Sequence, residues 1–285
     1  MGGLSMALLN CTWCIRGGIT PSGVITLLTD FGTADAFVGV MKGVIAGIHP
    51  QAHVIDLTHA IRPQHVLAGA LVLRSAVDFF PAGTIHIGVV DPGVGSARRP
   101  LLVGTDMGWL IGPDNGLLGP ASQHLGRRTV RLLENPEFFR HPVSHTFHGR
   151  DIFAPSAAHL ARGVEPSRLG GLLDTMVELS VPGAVRTSSG ISGQVVYVDH
   201  FGNLVTNIEA ERLSCFPAQQ VSVSIRGMRI GGLAGTYTSV PEGRPLAIVG
   251  SWGMLEIAVR NGSAADVLAA TEGAPVTVDV ESGDA

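Results

Sequence analysis

The stretch Gly83–Pro100, GTIHIGVVDPGVGSARRP, decides how the chain is read. Its first half, residues 83–91, is apolar and β-branched and ends at Asp91, which predicts a strand. Its second half is a loop with a proline, two glycines and two adjacent arginines, Arg98 and Arg99. Working outward, VITLLTD (24–30) and HVIDLTH (53–59) predict two more strands, the first ending at Asp30 and the second carrying Asp56. Between the strands, residues 35–50 and 63–81 carry apolar positions at helical spacing and stop at prolines. PLLVGTD and MGWLIGPD predict a hairpin around Met107 and Gly108, and 149–163 predicts another helix. Strands alternating with helices imply an α/β domain with a mostly parallel sheet. Ligands of open α/β sheets collect at the carboxyl ends of the strands, where Asp30 and Asp91 lie.

Beyond about residue 182 the texture changes. Residues 183–192 fall in a Pro/Gly/Ser-rich stretch that reads as a linker. The short runs QVVYVDHF, QVSVSIRG, PLAIVGS, LEIAVRN and PVTVDV then predict a smaller β-barrel domain over 193–285. The expected division is therefore a leader 1–22, an α/β domain 23–182, the linker and the barrel.

Bulk properties exclude several function classes. A chain of 285 residues, 45% hydrophobic and 15% charged, can bury a sizeable core. A net charge of −4 without like-charge runs argues against nucleic-acid or anionic-membrane partners. No apolar run approaches the roughly 18 residues of a spanning helix, and the cytoplasm is the expected compartment. Three cysteines make no disulfide framework, and the CxxC of Cys11 and Cys14 lacks the strand–helix setting of a redox motif. The leader lacks a basic n-region and reads as a disordered extension.

The loop after Asp91 is neither a P-loop nor a dinucleotide fingerprint, because Arg98 stands where the third glycine of G-x-G-x-x-G would be. A plain turn accounts for Asp-Pro and the glycines, but not for the acid and the arginines. Asp91 and Arg98 bracket a loop able to bring them together, and a carboxylate–guanidinium pair fixes a charge that can hold an anion or a polarised water. In HPVSHTFHGRD (141–151), Pro142 argues against a helix that would pair His141 with His145 on a metal, so no metal site is expected. His148, at a helix start, is the candidate base or hydrogen-bond partner.

Seven segments together resemble the S-adenosylmethionine hydroxide adenosyltransferase family, relatives of the S-adenosylmethionine-dependent fluorinases and chlorinases. They are LLTDFGTADAFVGVMKGVI, IDLTH, FFPAGTIHIGVVDPGVGSARR, IGPDNGLL, FHGRDIFAP, VDHFGNLVTNI and GSWGMLEIAVRNGSA. The resemblance implies a Rossmann-like N-terminal domain, a C-terminal β-barrel and a homotrimer with sites at subunit interfaces. It implies displacement of L-methionine from C5′ of S-adenosyl-L-methionine by water or hydroxide, giving adenosine, with no cofactor. It also implies Asp91, Arg98 and His148 as the catalytic set, which the halogenating relatives lack. Asp30 then holds the ribose hydroxyls and Phe147 contacts substrate. Asp199, Asn203, Phe201 and Ser251 surround the methionine portion, and backbone near Arg260–Gly262 reads the adenine. Trp252 departs from the tyrosine that often follows that serine. Each has a bland counterpart: Asp30 as a helix cap, Asp199 and Asn203 as an Asx-turn, PDNG (113–116) as a type I turn. A halide-using synthase and a non-catalytic adenosyl-binding module are the alternatives, and which residue accepts the proton stays open.

Overall fold

The computed structural model describes residues 19–181, 183–188 and 190–280, so Cys11 and Cys14 lie outside the described residues. The chain divides after Leu179 into two compact units, each with its own sheet and core.

The first unit contains, in order, β1 (Val24–Thr29), α1 (Phe37–Ile48), β2 (His53–Thr58), α2 (Val66–Ala76), β3 (Thr84–Val89), β4 (Pro100–Thr105), β5 (Gly108–Pro113), α3 (Gly119–His124), β6 (Arg127–Leu132), α4 (Ala154–Ala161) and β7 (Leu172–Leu173). The sheet order is β2-β1-β3-β5-β4-β6-β7. Its parallel part is β2-β1-β3-β5, while β4, β6 and β7 join through antiparallel pairs. A mixed sheet thus replaces the mostly parallel one expected. The cause is local: Thr105 Oγ1 accepts from Met107 N and Gly108 N, both at 3.1 Å, closing a tight turn between β4 and β5. A two-residue connection reverses the chain and permits only antiparallel pairing.

β1, β3 and β5 sit inside the sheet, which explains their near-continuous apolar sequences: both faces are buried. On one face Ile25, Leu27, Ile85, Ile87 and Val89 meet Val38, Met41 and Ile45 of α1 and Phe153 and Ala157 near and on α4. The other face receives α2, where Gly69 lies so close to the sheet that a Cβ would stand 2.8 Å from Leu117, 3.0 Å from Val90 and 3.6 Å from Leu28. The register pairs Thr29 with Val89. The next acids along the two chains, Asp30 and Asp91, therefore leave the sheet from the same rim.

The second unit is antiparallel throughout its named pairs. Its strands are β8 (Val185–Arg186), β9 (Gly190–Val198), β10 (Leu204–Glu209), β11 (Val221–Ile225), β12 (Met228–Gly231), β13 (Pro245–Val249), β14 (Met254–Val259) and β15 (Pro275–Val280). They run β12-β11-β15-β9-β10-β14-β13, with β8 on β9. Just past β12, Ala234 N donates to Ala247 O of β13 at 2.8 Å, drawing the two ends of the sheet into a nearly closed barrel. Alternate residues such as Val195, Leu204, Val223, Leu255, Ile257, Val276 and Val278 fill it. Both β8 and the start of β9 fall within the stretch that reads as a linker. Two-residue β8 carries no period-2 signal, and Gly190 opens β9 where punctuation was expected. Among the described residues no helix is long and apolar enough to cross a membrane.

One buried titratable group belongs to the fold rather than to a site. His86 on β3 is 3% exposed, shares a hydrogen bond with Thr26 Oγ1 at 2.8 Å and meets the edge of Phe80. Burial pushes its imidazole down to about 4. The unfolded chain would take up a proton near pH 6.5, so stability is lost as pH falls from about 6.5 towards 4, by at most about 3 kcal/mol. Denaturant titrations at pH 7 and pH 4.5 should show His86→Gln losing about 2 kcal/mol less than the wild type between the two conditions. An equal loss in both proteins would refute this assignment.

Candidate active site

The site begins where β3 runs out. Asp91 follows the strand, and the next residues turn back through Val94 N to Asp91 O at 3.2 Å and Ser96 N to Gly93 O at 3.1 Å. Ser96 Oγ donates to Gly93 O at 2.6 Å and accepts from Arg98 N at 3.2 Å, which fixes where the arginine leaves the loop. Asparagine steadies the other side: Asn115 Nδ2 of PDNG donates to Val90 O at 2.8 Å, one residue before Asp91.

The turn brings Arg98 onto Asp91. Arg98 Nε donates to Oδ1 at 2.9 Å and to Oδ2 at 3.0 Å, and Nη2 donates to Oδ2 as well. The side chains are 9% and 5% exposed. The guanidinium also lies over the Phe153 ring, 5.3 Å from its centroid. Nη2 further contacts His148 Nδ1 at 2.8 Å, so the three candidate catalytic residues form one connected group. Nη1 is buried and has no hydrogen-bond partner among the described residues. The neighbouring Arg99 turns away to Asp114 Oδ2 at 2.7 Å and Thr175 O at 3.1 Å, where it braces the fold.

A guanidinium has only donors, so the hydrogen bond from Arg98 requires His148 Nδ1 to accept. The neutral ring then carries its proton on Nε2. Burial first, and then the Arg98 charge, pushes the His148 pKa down, while Asp91 and Asp151 act against the shift. Neutral imidazole is therefore favoured in this setting.

The segment bearing His148 is packed tightly against the loop of Arg98. Gly95 has φ +76°, and a Cβ there would stand 2.3 Å from His145 O. No L-side chain fits that approach without movement of a backbone. His145 itself is exposed, and His141 Nε2 contacts Pro136 O at 2.8 Å. Among the described residues no group of three or more His, Cys, Asp or Glu is arranged to hold a metal.

Asp30 and Phe147 lie in the same unit. Asp30 Oδ2 accepts from Gln64 N at 2.8 Å, so the carboxylate fixes the loop after β2 rather than capping α1, which has no side-chain cap. Phe147 forms an aromatic group with Phe31 and Phe37, with ring centroids 5.8 and 5.3 Å from its own. Phe31 and Phe37 are not among the expected site residues, although both stand in LLTDFGTADAFVGVMKGVI, the segment that carries Asp30.

The remaining candidates belong to the second unit. Asp199 Oδ1 accepts from Phe201 N and Asn203 N at 2.9 and 2.8 Å, and Oδ2 accepts from Asn203 Nδ2 at 2.9 Å. The Asx-turn is thus real, and it presents Phe201 outward, 74% exposed. Trp252 stacks on Tyr197 with centroids 5.1 Å apart and planes at 26°, which places the Ser251–Trp252 turn near the end of β9.

Comparison with known proteins agrees with this division. Residues 25–170 match the SAM hydroxide adenosyltransferase N-terminal domain, and residues 193–277 match its C-terminal domain. The chain is 40% identical over 258 residues to the (R)-S-adenosyl-L-methionine hydrolase of Salinispora tropica, covering 90% of this chain and 97% of that protein. A fluorinase of an Actinoplanes species is 29% identical, covering 65% of this chain and 71% of that protein. An uncharacterised conserved protein from Thermotoga maritima superposes with a TM-score of 0.85 at 37% identity, covering 90% of this chain and 99% of that one. With both domains matched in order, the chain belongs to the SAM hydroxide adenosyltransferase family.

Proposed function

We propose that this protein hydrolyses S-adenosyl-L-methionine to adenosine and L-methionine, with hydroxide attacking ribose C5′. The observation that carries the proposal is Arg98: a nearly buried guanidinium, clamped by Asp91, whose Nη2 meets His148 and whose Nη1 has no acceptor among the described residues. The relatives named as hydrolases support the same reaction.

The chemistry fits those residues. The leaving group departs from a sulfonium as a neutral thioether, so neither an acid to protonate it nor a metal to polarise it is required. Hydroxide contributes the electron pair of the new C5′–O bond, and the C5′–S pair leaves with methionine. Both Asp91 oxygens accept from Arg98, and His148 Nδ1 accepts from it too. With Nδ1 engaged and Nε2 protonated, the neutral imidazole of His148 has no lone pair left to take a proton from an attacking water. The site instead offers donors, Arg98 Nη1–H and His148 Nε2–H, that favour the anion over the neutral molecule. At an effective dielectric of 20, unit charges about 4 Å apart interact by about 4 kcal/mol, and Arg98 gives hydroxide the part of this that the Asp91 carboxylate leaves uncompensated. Holding the nucleophile in line can supply about 7–11 kcal/mol more of the barrier.

Within the same reading Asp30 binds the ribose diol and Phe147 lines the pocket. Asp199, Phe201, Asn203, Ser251 and Trp252 hold the methionine portion, in a cytoplasmic homotrimer that uses no cofactor. A Rossmann-like grouping of β1, β2 and β3 suits an adenosyl ligand at the rim shared by Asp30 and Asp91.

The primary experiment is incubation of purified protein with S-adenosyl-L-methionine in chloride buffer made with oxygen-18 water, followed by mass analysis. Adenosine labelled at C5′ is expected. A 5′-chloro nucleoside would place the protein with halide users, and unchanged ligand would make it a binding protein. Arg98→Ala should lower kcat by about 10²–10³-fold, as for loss of a charge-stabilising donor, with calorimetric affinity for a non-reactive adenosyl ligand nearly intact. Asp30→Ala should do the reverse, weakening that affinity by about tenfold or more, as for loss of a hydrogen bond to a charged group. Unaltered affinity would remove Asp30 from the ribose site.

A further inference from the structure

Asp151 has no place in the reaction just described, yet it is a fully buried carboxylate three residues from His148. It lies within a π-helical turn, Gly149–Phe153, that immediately follows His148 and leads into α4. Such turns are uncommon and concentrate at functional sites. The carboxylate accepts from Arg150 Nε at 2.6 Å and Nη2 at 2.8 Å, while Arg140 Nη1 lies 3.6 Å from it. Its Oδ2 also accepts from Ser144 N at 2.8 Å. The main chain of the same residue closes the loop twice more: Asp151 O accepts from Arg140 N at 2.9 Å, and Asp151 N donates to Phe147 O at 3.1 Å. Burial alone would raise its pKa, but the hydrogen bonds from Arg150 and Ser144 and the charges of both arginines bring it below the ordinary value.

These contacts hold the chain at residues 140, 144 and 147, all on the approach to His148. The held segment includes His145, whose carbonyl sits against Gly95 in the loop that presents Arg98. One residue thus ties the backbone of the histidine-bearing segment to the helix behind it while that segment presses on the arginine-bearing loop.

We propose that Asp151 is a positioning residue for the reaction: its carboxylate fixes the Ser144–His148 segment so that His148 Nδ1 meets Arg98 and Nε2–H faces the nucleophile. The role rests on the hydrolase reading for its consequence in turnover, but the geometry it enforces is measurable without substrate. A misplacement of about 1 Å in a catalytic group costs about 10²-fold in rate, and ligating groups hold such tolerances only when packed and hydrogen-bonded from behind.

The test compares wild type with Asp151→Asn, which keeps the size of the side chain but loses the paired acceptor for Arg150. Two readouts are taken: steady-state kinetics with S-adenosyl-L-methionine, and nitrogen-15 histidine NMR, with the His148 signal identified by its loss in His148→Gln. The wild type should show His148 protonated at Nε2. Asp151→Asn should show a mixture of the two tautomers and a kcat about 10–100-fold lower, with KM within about threefold. An unchanged His148 tautomer or an unchanged kcat in a folded variant would overturn the proposal, because a purely structural carboxylate would alter melting temperature alone. If Asp151→Asn does not fold, Arg150→Gln decides, since it removes the clamp and leaves the bond to Ser144. The same two shifts, smaller in size, are expected, and their absence overturns the role. A wild type that makes no adenosine would refute the hydrolase reading; the NMR comparison would still decide whether Asp151 positions His148.

Discussion

A guanidinium is held in a nearly dry cleft only where a carboxylate meets it with good geometry, because desolvation of either partner alone costs several kcal/mol. The Asp91–Arg98 pair is that constraint here, and much of the first unit serves it. The parallel pairing of β1 and β3 brings Asp91 to the rim, and the Ser96 turn aims Arg98 back at it. Asn115 fixes the carbonyl just before Asp91. Phe153 offers the guanidinium an aromatic face. Removing the acid would leave a buried cation with too few acceptors, whereas removing the arginine would leave a buried carboxylate and an unpartnered imidazole.

Arginine and histidine have different duties in such an arrangement. The arginine supplies a planar fork of donors that meets the carboxylate along one edge and His148 at Nη2. The histidine keeps its own proton away from Arg98 and directs it outward, because the bond at Nδ1 leaves no choice of tautomer. Burial and the nearby cation work together to keep it neutral. The result is a site whose polarity is set by hydrogen bonding and packing.

How far this was legible in the sequence varies from residue to residue. The strands ending in Asp30 and Asp91 were readable because buried strands leave continuous β-branched runs. The meeting of Asp91 with Arg98 was readable from a short loop with glycines at its centre. By contrast, Arg98 and Arg99 are indistinguishable as letters; only the turn sends one to Asp91 and the other to Asp114. Of the antiparallel half of the sheet, the β4–β5 hairpin was readable from PLLVGTD and MGWLIGPD, whereas β6, RRTVRL, was hidden because half of it is arginine and its apolar signal is weak. Asp151 stands in FHGRD, but nothing in one sequence says which acid is buried. Asp-x-x-x-Asn in DHFGN predicts an Asx-turn from the letters alone, and its hydrogen bonds are present whatever those residues do for substrate.

Gly95 has a consequence in evolutionary terms. The atom that a side chain there would strike is a backbone carbonyl, which no rotamer change can move aside. The arginine loop and the histidine loop, remote in sequence, therefore fit each other as a matched pair. A changed backbone path in either loop would need a matching change in the other. Grafting one loop from a relative without its counterpart would bring in a shape adapted to a neighbour that is no longer there.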